Sequence, residues 1–151
     1  VAPGFRVFAA TNPADPSAGY FGRNQQDAAN LDRGWLLQMD YPTPEEELPL
    51  VVKELVDGGL PDAEIAKSVA EQMVDVANDI RGQFCGVSDK RSSLPITMST
   101  RSLRRWAKVF CLFSKQKNRA QFAMNIALTG RTDAQSAKAI MNMVDIKFGV
   151  A

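Results

Sequence analysis

The chain has 151 residues, enough for one domain with a real core or for a large piece of a bigger one. Its 45% apolar and 23% charged residues are those of an ordinary globular protein, and a net charge of +1 gives no global pull toward nucleic acid or an anionic membrane. There is no histidine, which removes Ser-His-Asp and Cys-His catalysis, His-ligated metals and His-based pH switching together.

The two cysteines, Cys85 and Cys111, are too few for a disulfide framework or a four-cysteine zinc site and read as buried free thiols in a reducing, cytoplasmic setting. No apolar run approaches the roughly eighteen residues of a membrane span, since even Trp106 to Phe113 is broken by Lys108. The start, Val-Ala-Pro-Gly, is neither a signal peptide nor an initiator, which suggests an excised or processed chain.

Phe5 to Thr11 is a short apolar, β-branched run ended by Asn12-Pro13 and reads as a buried strand. Residues 13–22 are rich in Pro, Gly, Asp and Ser and read as a loop, and 24–31 can form a short helix. Trp35 to Tyr41 reads as a second strand stopped by Pro42. Thr43-Pro44-Glu45-Glu46 is a capping box with proline at the first helical position, so a helix starts there. Pro49 predicts a kink or a late restart in it, and Gly58-Gly59 a stop. The acidic run Glu45 to Glu47 reads as helix-start charge favoured by the dipole.

Ile65, Val69, Met73, Val76, Ile80 and Phe84 share one face of a further helix. Residues 86–98 read as a polar linker. Ser99 or Thr100 then caps a helix to about Phe113, with Leu103, Trp106, Phe110 and Phe113 inward. Another helix spans about 118–128 and closes at Gly130. Thr132-Asp133-Ala134-Gln135 reads as a second capping box, before a last helix striped by Ile140, Met141, Val144 and Phe148.

Three constellations could carry chemistry. Asn12 follows a strand, where an amide can position a water or touch a phosphate, although Asn-Pro is also an ordinary turn. Arg33 offers a planar fork suited to phosphate oxygens, or simply pairs with Asp32. Arg101 opens a helix whose N-terminus could share its anion, or belongs to a solvated basic face. The stretch with Arg101, Arg104, Arg105, Lys108, Lys115, Lys117 and Arg119, interleaved with Trp106 and Phe110, could bind nucleic acid. Its aromatics fall on the apolar face, which disfavours that use.

Taken in order, FRVFAATNP, then YFGRNQQDAANLDR, a strand ending Asp40-Tyr41-Pro42, the acidic run and finally STRSLRRWA resemble one family. The pattern is similar to the AAA+ branch of MoxR-type ATPases, and its spacing from Tyr20 to Arg33 to the small ATPase subunit of cobaltochelatase, with differences at Gln26, Asp27 and Gly34. The likeness is close from Phe5 to Tyr41 and looser to Gly149.

It implies the C-terminal part of a P-loop NTPase AAA+ module: an α/β core remnant over 1–42, a connecting helix over 43–59 and an α-helical lid over 60–151, predominantly helical overall. It implies that Asn12 is the sensor 1 residue, Arg33 an arginine finger serving a neighbouring subunit, and Arg101 sensor 2. ATP and magnesium would be the cofactors of the full-length protein, a homo-oligomeric ring its assembly, and a protein client its partner, with metal insertion or metalloenzyme activation as the purpose.

Neither GxxxxGK followed by Ser or Thr nor an apolar strand ending in Asp-Glu occurs here, so the chain alone should hold no nucleotide and be inactive. The two core strands should then pair with each other abnormally, pair across a dimer, or order poorly. The rival expectations are a non-catalytic adaptor of AAA+ descent and a helical nucleic-acid-binding module.

Overall fold

A computed structural model describes residues 39–85 and 94–149, together with Gly4, Arg6, Trp35 and Leu37. The chain divides into two compact units, Val1–Gln38 and Met39–Ala151, and almost everything described belongs to the second. The expected strand at Phe5 to Thr11 and the short helix after it lie outside the described residues, apart from Arg6. Of the second expected strand, Trp35, Leu37 and 39–41 are described and lie in no regular element. No strand occurs among the described residues, and their architecture is α-helical.

Helix α1 spans Pro44–Asp57. Proline sits in its first turn, and the Thr43 N–H donates to Glu46 Oε2 at 2.9 Å, which is the expected capping box at work. The helix runs through Pro49 without the late restart that was one of the two alternatives expected there. The bond that Pro49 gives up would have ended on the carbonyl of Glu45, an exposed first-turn residue whose oxygen water can reach.

The C-terminus is a Schellman motif, with Leu60 N–H donating to Leu55 O and Gly59 N–H to Val56 O, both at 3.0 Å. Gly59 supplies the φ of +95° that the motif requires. Gly58 is needed for a different reason. A Cβ there would lie 2.6 Å from Cys111 Cβ and 2.8 Å from its Sγ. Gly58→Ala should therefore lower the melting temperature, at a cost of about 1–3 kcal/mol for the forced shift. An unchanged melting curve would refute the close approach.

Helix α2 spans Ala63–Phe84, and the Asp62 carboxylate caps it by accepting from the N–H groups of Glu64 (2.9 Å) and Ile65 (3.2 Å). Its buried face is Ala66, Ala70, Met73, Val76, Ala77 and Ile80, and α1 packs against this helix. That face is rotated from the expected stripe: Ile65 is exposed, and Val69 and Phe84 are half-buried.

The described part of the expected polar linker is not polar in its packing, because Leu94 and Met98 are both buried. Ser99 caps α3 (Thr100–Leu112), its Oγ accepting from Ser102 N–H at 3.2 Å. Leu103, Trp106 and Phe110 point inward as expected, whereas Phe113 ends 42% exposed, edge-on to Phe122.

Asn118, at φ +56°, turns the chain into α4 (Arg119–Ala127). Asparagine is one of the few side chains that tolerate that region. A 3₁₀ turn over Thr129–Arg131 leads to α5 (Ala134–Phe148). Its cap is Asp133, one residue later than expected, accepting from Ser136 N–H at 2.9 Å. The Ser136 hydroxyl, then its backbone N–H, hold that carboxyl below its ordinary range.

The core gathers Leu55, Met73, Ile80, Leu103, Trp106 and Met124 from the first four helices, with Ile140 and Val144 from the last. Trp106 sits at its centre, fully buried, donating its indole N–H to Ala120 O at 3.0 Å and meeting Phe148 edge-on at 5.6 Å. Lys147 to Asp75 (2.8 Å) and Gln121 to Asp145 (2.9 Å) fasten α5 to α2 and α4. Cys111 is buried, and burial pushes its thiol pKa up. Cys85 is exposed, so the expectation of two buried thiols holds for one.

Candidate functional site

Asn12 and Arg33 lie outside the described residues, so the site that can be built is the one at Arg101. Arg101 is the second residue of α3 and is exposed. Among the described residues its guanidinium has no hydrogen bond or ion pair. The first turn of α3 carries no acidic side chain, in contrast with the three glutamates that open α1. The amide dipoles and the guanidinium therefore add at this end of the helix, an arrangement that suits an anion.

The rest of the basic stretch behaves differently. Arg104 is committed to Glu54, with Nε donating to Oε1 at 2.9 Å and Nη2 to the same oxygen. Arg119 donates to Phe110 O at 2.6 Å and lies over the Phe110 ring at 3.6 Å. Arg105, Lys108, Lys115 and Lys117 are exposed. Trp106 and Phe110 are both buried, so neither can stack on a base.

Beneath the start of α3 lies a buried ion pair. Arg81 forks onto Glu47, Nη1 to Oε2 at 2.7 Å and Nη2 to Oε1 at 2.9 Å. The residues are 4% and 0% exposed, so this pair is shielded from water. Arg81 also donates to Met98 O (Nε, 2.7 Å) and Asn78 Oδ1 (Nη1, 3.1 Å). The Tyr41 ring lies 4.5 Å from its guanidinium carbon, and the Tyr41 hydroxyl meets Thr97 Oγ1 at 2.8 Å. Thr100 Oγ1 donates to Glu47 Oε1 at 2.5 Å. No buried side-chain polar atom is left without a partner among the described residues.

Sequence reasoning placed Glu47 with the dipole charges and missed this pair. The signal was there: Glu47 stands four and eight residues before Val51 and Leu55, on the buried stripe of α1.

Of the three residues singled out in the sequence, Arg101 alone is described, exposed at the start of α3. No group of three or more His, Cys, Asp or Glu that could hold a metal ion occurs among the described residues. No helix among them is long and apolar enough to cross a membrane.

The helical, strand-free architecture of the described residues is that of the helical C-terminal lid of a AAA+ module. The chain is the C-terminal part of a MoxR-like AAA+ ATPase. Residues 60–147, more than half of it, match the family model described as CbbQ/NirQ/NorQ C-terminal, and the chain belongs to that family. No curated protein and no solved structure matches it.

Proposed function

We propose that this chain serves a cytoplasmic AAA+ ATPase as its lid and the adjoining end of its core, with Arg101 touching the nucleotide phosphates as sensor 2. The observation that carries the reading is the exposed guanidinium of Arg101, without a partner among the described residues, in a first helical turn that has no acidic side chain of its own. On the same reading Asn12 orients the attacking water and Arg33 reaches into the site of the neighbouring subunit. Hydrolysis would then require a ring of copies, with ATP and magnesium bound by the remainder of the module. The ring would turn hydrolysis into remodelling of a protein client, and the likeness to cobaltochelatase points to metal insertion or metalloenzyme activation.

A hydrogen bond to a charged group contributes about 1.5–3 kcal/mol, so Arg101→Ala in the full-length ATPase should lower kcat/KM for ATP about 10- to 100-fold. Steady-state hydrolysis of the purified variant measures this, and a wild-type rate would dismiss the sensor role. The 151-residue chain alone should not turn ATP over.

The buried positions of Trp106 and Phe110 weigh against nucleic acid as the partner. A labelled-DNA titration at two salt concentrations checks this, with no salt-dependent binding expected.

A further inference from the structure

We propose that Thr100 is a positioning residue for Arg101, acting through the buried Glu47–Arg81 pair. The proposal rests on the reading of Arg101 as a phosphate contact and deepens it. The segment that leads into α3 is held at three successive points, and all three lead to the same pair. Thr97 is tied to Tyr41, whose ring lies against Arg81. The Met98 carbonyl accepts from Arg81 Nε at 2.7 Å. Thr100 Oγ1 donates to Glu47 Oε1 at 2.5 Å. Arg101 is the next residue, and its own side chain is exposed with no partner among the described residues. A long side chain with free rotamers can be aimed only through its backbone, so the anchor beneath it sets where its guanidinium starts.

The Thr100 bond is not needed to satisfy the ion pair. Glu47 already has both oxygens on Arg81, and Arg81 has further acceptors in Met98 and Asn78. Removing the Thr100 hydroxyl therefore leaves the pair intact and frees only the helix start. Glu47, 0% exposed between α1 and α3, is thus the fixed point against which the α3 N-terminus is registered. A buried pair of this kind gives little stability over apolar residues of the same volume, whereas a fixed geometry is something apolar packing supplies less well. Small displacements of a transition-state contact are costly: about 1 Å can cost about 100-fold in rate.

The test uses the full-length ATPase and three variants, Thr100→Val, Thr100→Ser and Arg101→Ala, with kcat and KM for ATP and the melting temperature measured for each. Valine keeps the shape of threonine and removes the hydroxyl; serine keeps the hydroxyl. We expect Thr100→Val to lower kcat about tenfold while KM changes less than about threefold, because the charge stays available to the bound ground state. Thr100→Ser should restore kcat to within about twofold, and the melting temperatures of both should stay within a few degrees of wild type. Wild-type kcat in Thr100→Val beside an impaired Arg101→Ala overturns the positioning role and leaves the sensor reading standing. Equal impairment in Thr100→Val and Thr100→Ser overturns it too, since the hydroxyl would then not matter. So does a loss of turnover in Thr100→Val that follows a matching loss of folded protein. A wild-type rate in Arg101→Ala removes the sensor reading and this proposal together.

Discussion

Glu47→Ala should destabilise the helical unit by about 3–5 kcal/mol, the usual cost of removing one partner of a buried ion pair and leaving the other charge uncompensated. Arg81 would keep Met98 O and Asn78 Oδ1 but lose both carboxylate oxygens, in a place that water reaches poorly. In a unit of about a hundred residues, each kcal/mol moves the melting temperature by about 4–8 °C, so the variant should melt far below wild type. The companion measurement is Glu47→Leu combined with Arg81→Met, which removes both charges at once. That double variant should be clearly less destabilised than Glu47→Ala, because no buried charge is left without its counter-charge, although Met98 O and Thr100 Oγ1 lose their partners. Urea unfolding of the two variants decides the matter. A Glu47→Ala protein within 1 kcal/mol of wild type would show the pair to be solvated in solution.

Trp106→Ala should cost a similar amount, about 3–5 kcal/mol. The indole is fully buried, touches Phe148 edge-on, and bonds Ala120 O across to α4. Its loss leaves a cavity where α3, α4 and α5 meet, and helix backbones relax into such space only in part. Trp106→Phe separates the contributions, since it keeps a ring and loses the N–H. It should fall between wild type and the alanine variant, and equilibrium denaturation would read the order directly. Equal stability of the alanine and wild-type proteins would mean that the core closes elsewhere.

The helices were legible because their signals are local. Thr43 with Glu46 marked the start of α1, Gly58-Gly59 its end, and Leu103, Trp106 and Phe110 the inner face of α3. The misses share one cause: the same local pattern admits two geometries, and packing chooses. Thr132 and Asp133 both suit an N-cap, and the carboxylate that reaches Ser136 N–H takes the position. Ile65 continues the stripe of α2 by spacing, yet the buried face is turned toward Ala66 and Ala70 and leaves it exposed.

The Glu47–Arg81 pair spans 34 residues, beyond any periodicity argument. Composition offers no hint of which charged residues will meet inside. Of the candidate site, Arg101 at a helix start was readable from Ser99-Thr100-Arg101. What was not readable was that the threonine beside it belongs to a buried network.

The contrast between the two thiols has a practical use. Cys85, exposed at the end of α2, should accept a maleimide dye or spin label under native conditions, while Cys111, folded beneath Leu55 O, should react only on unfolding. A single probe can thus be placed on the lid without altering the sequence. Paired with a second probe engineered into the nucleotide-binding core of the full-length protein, it would test whether the distance between the two changes when ATP is added.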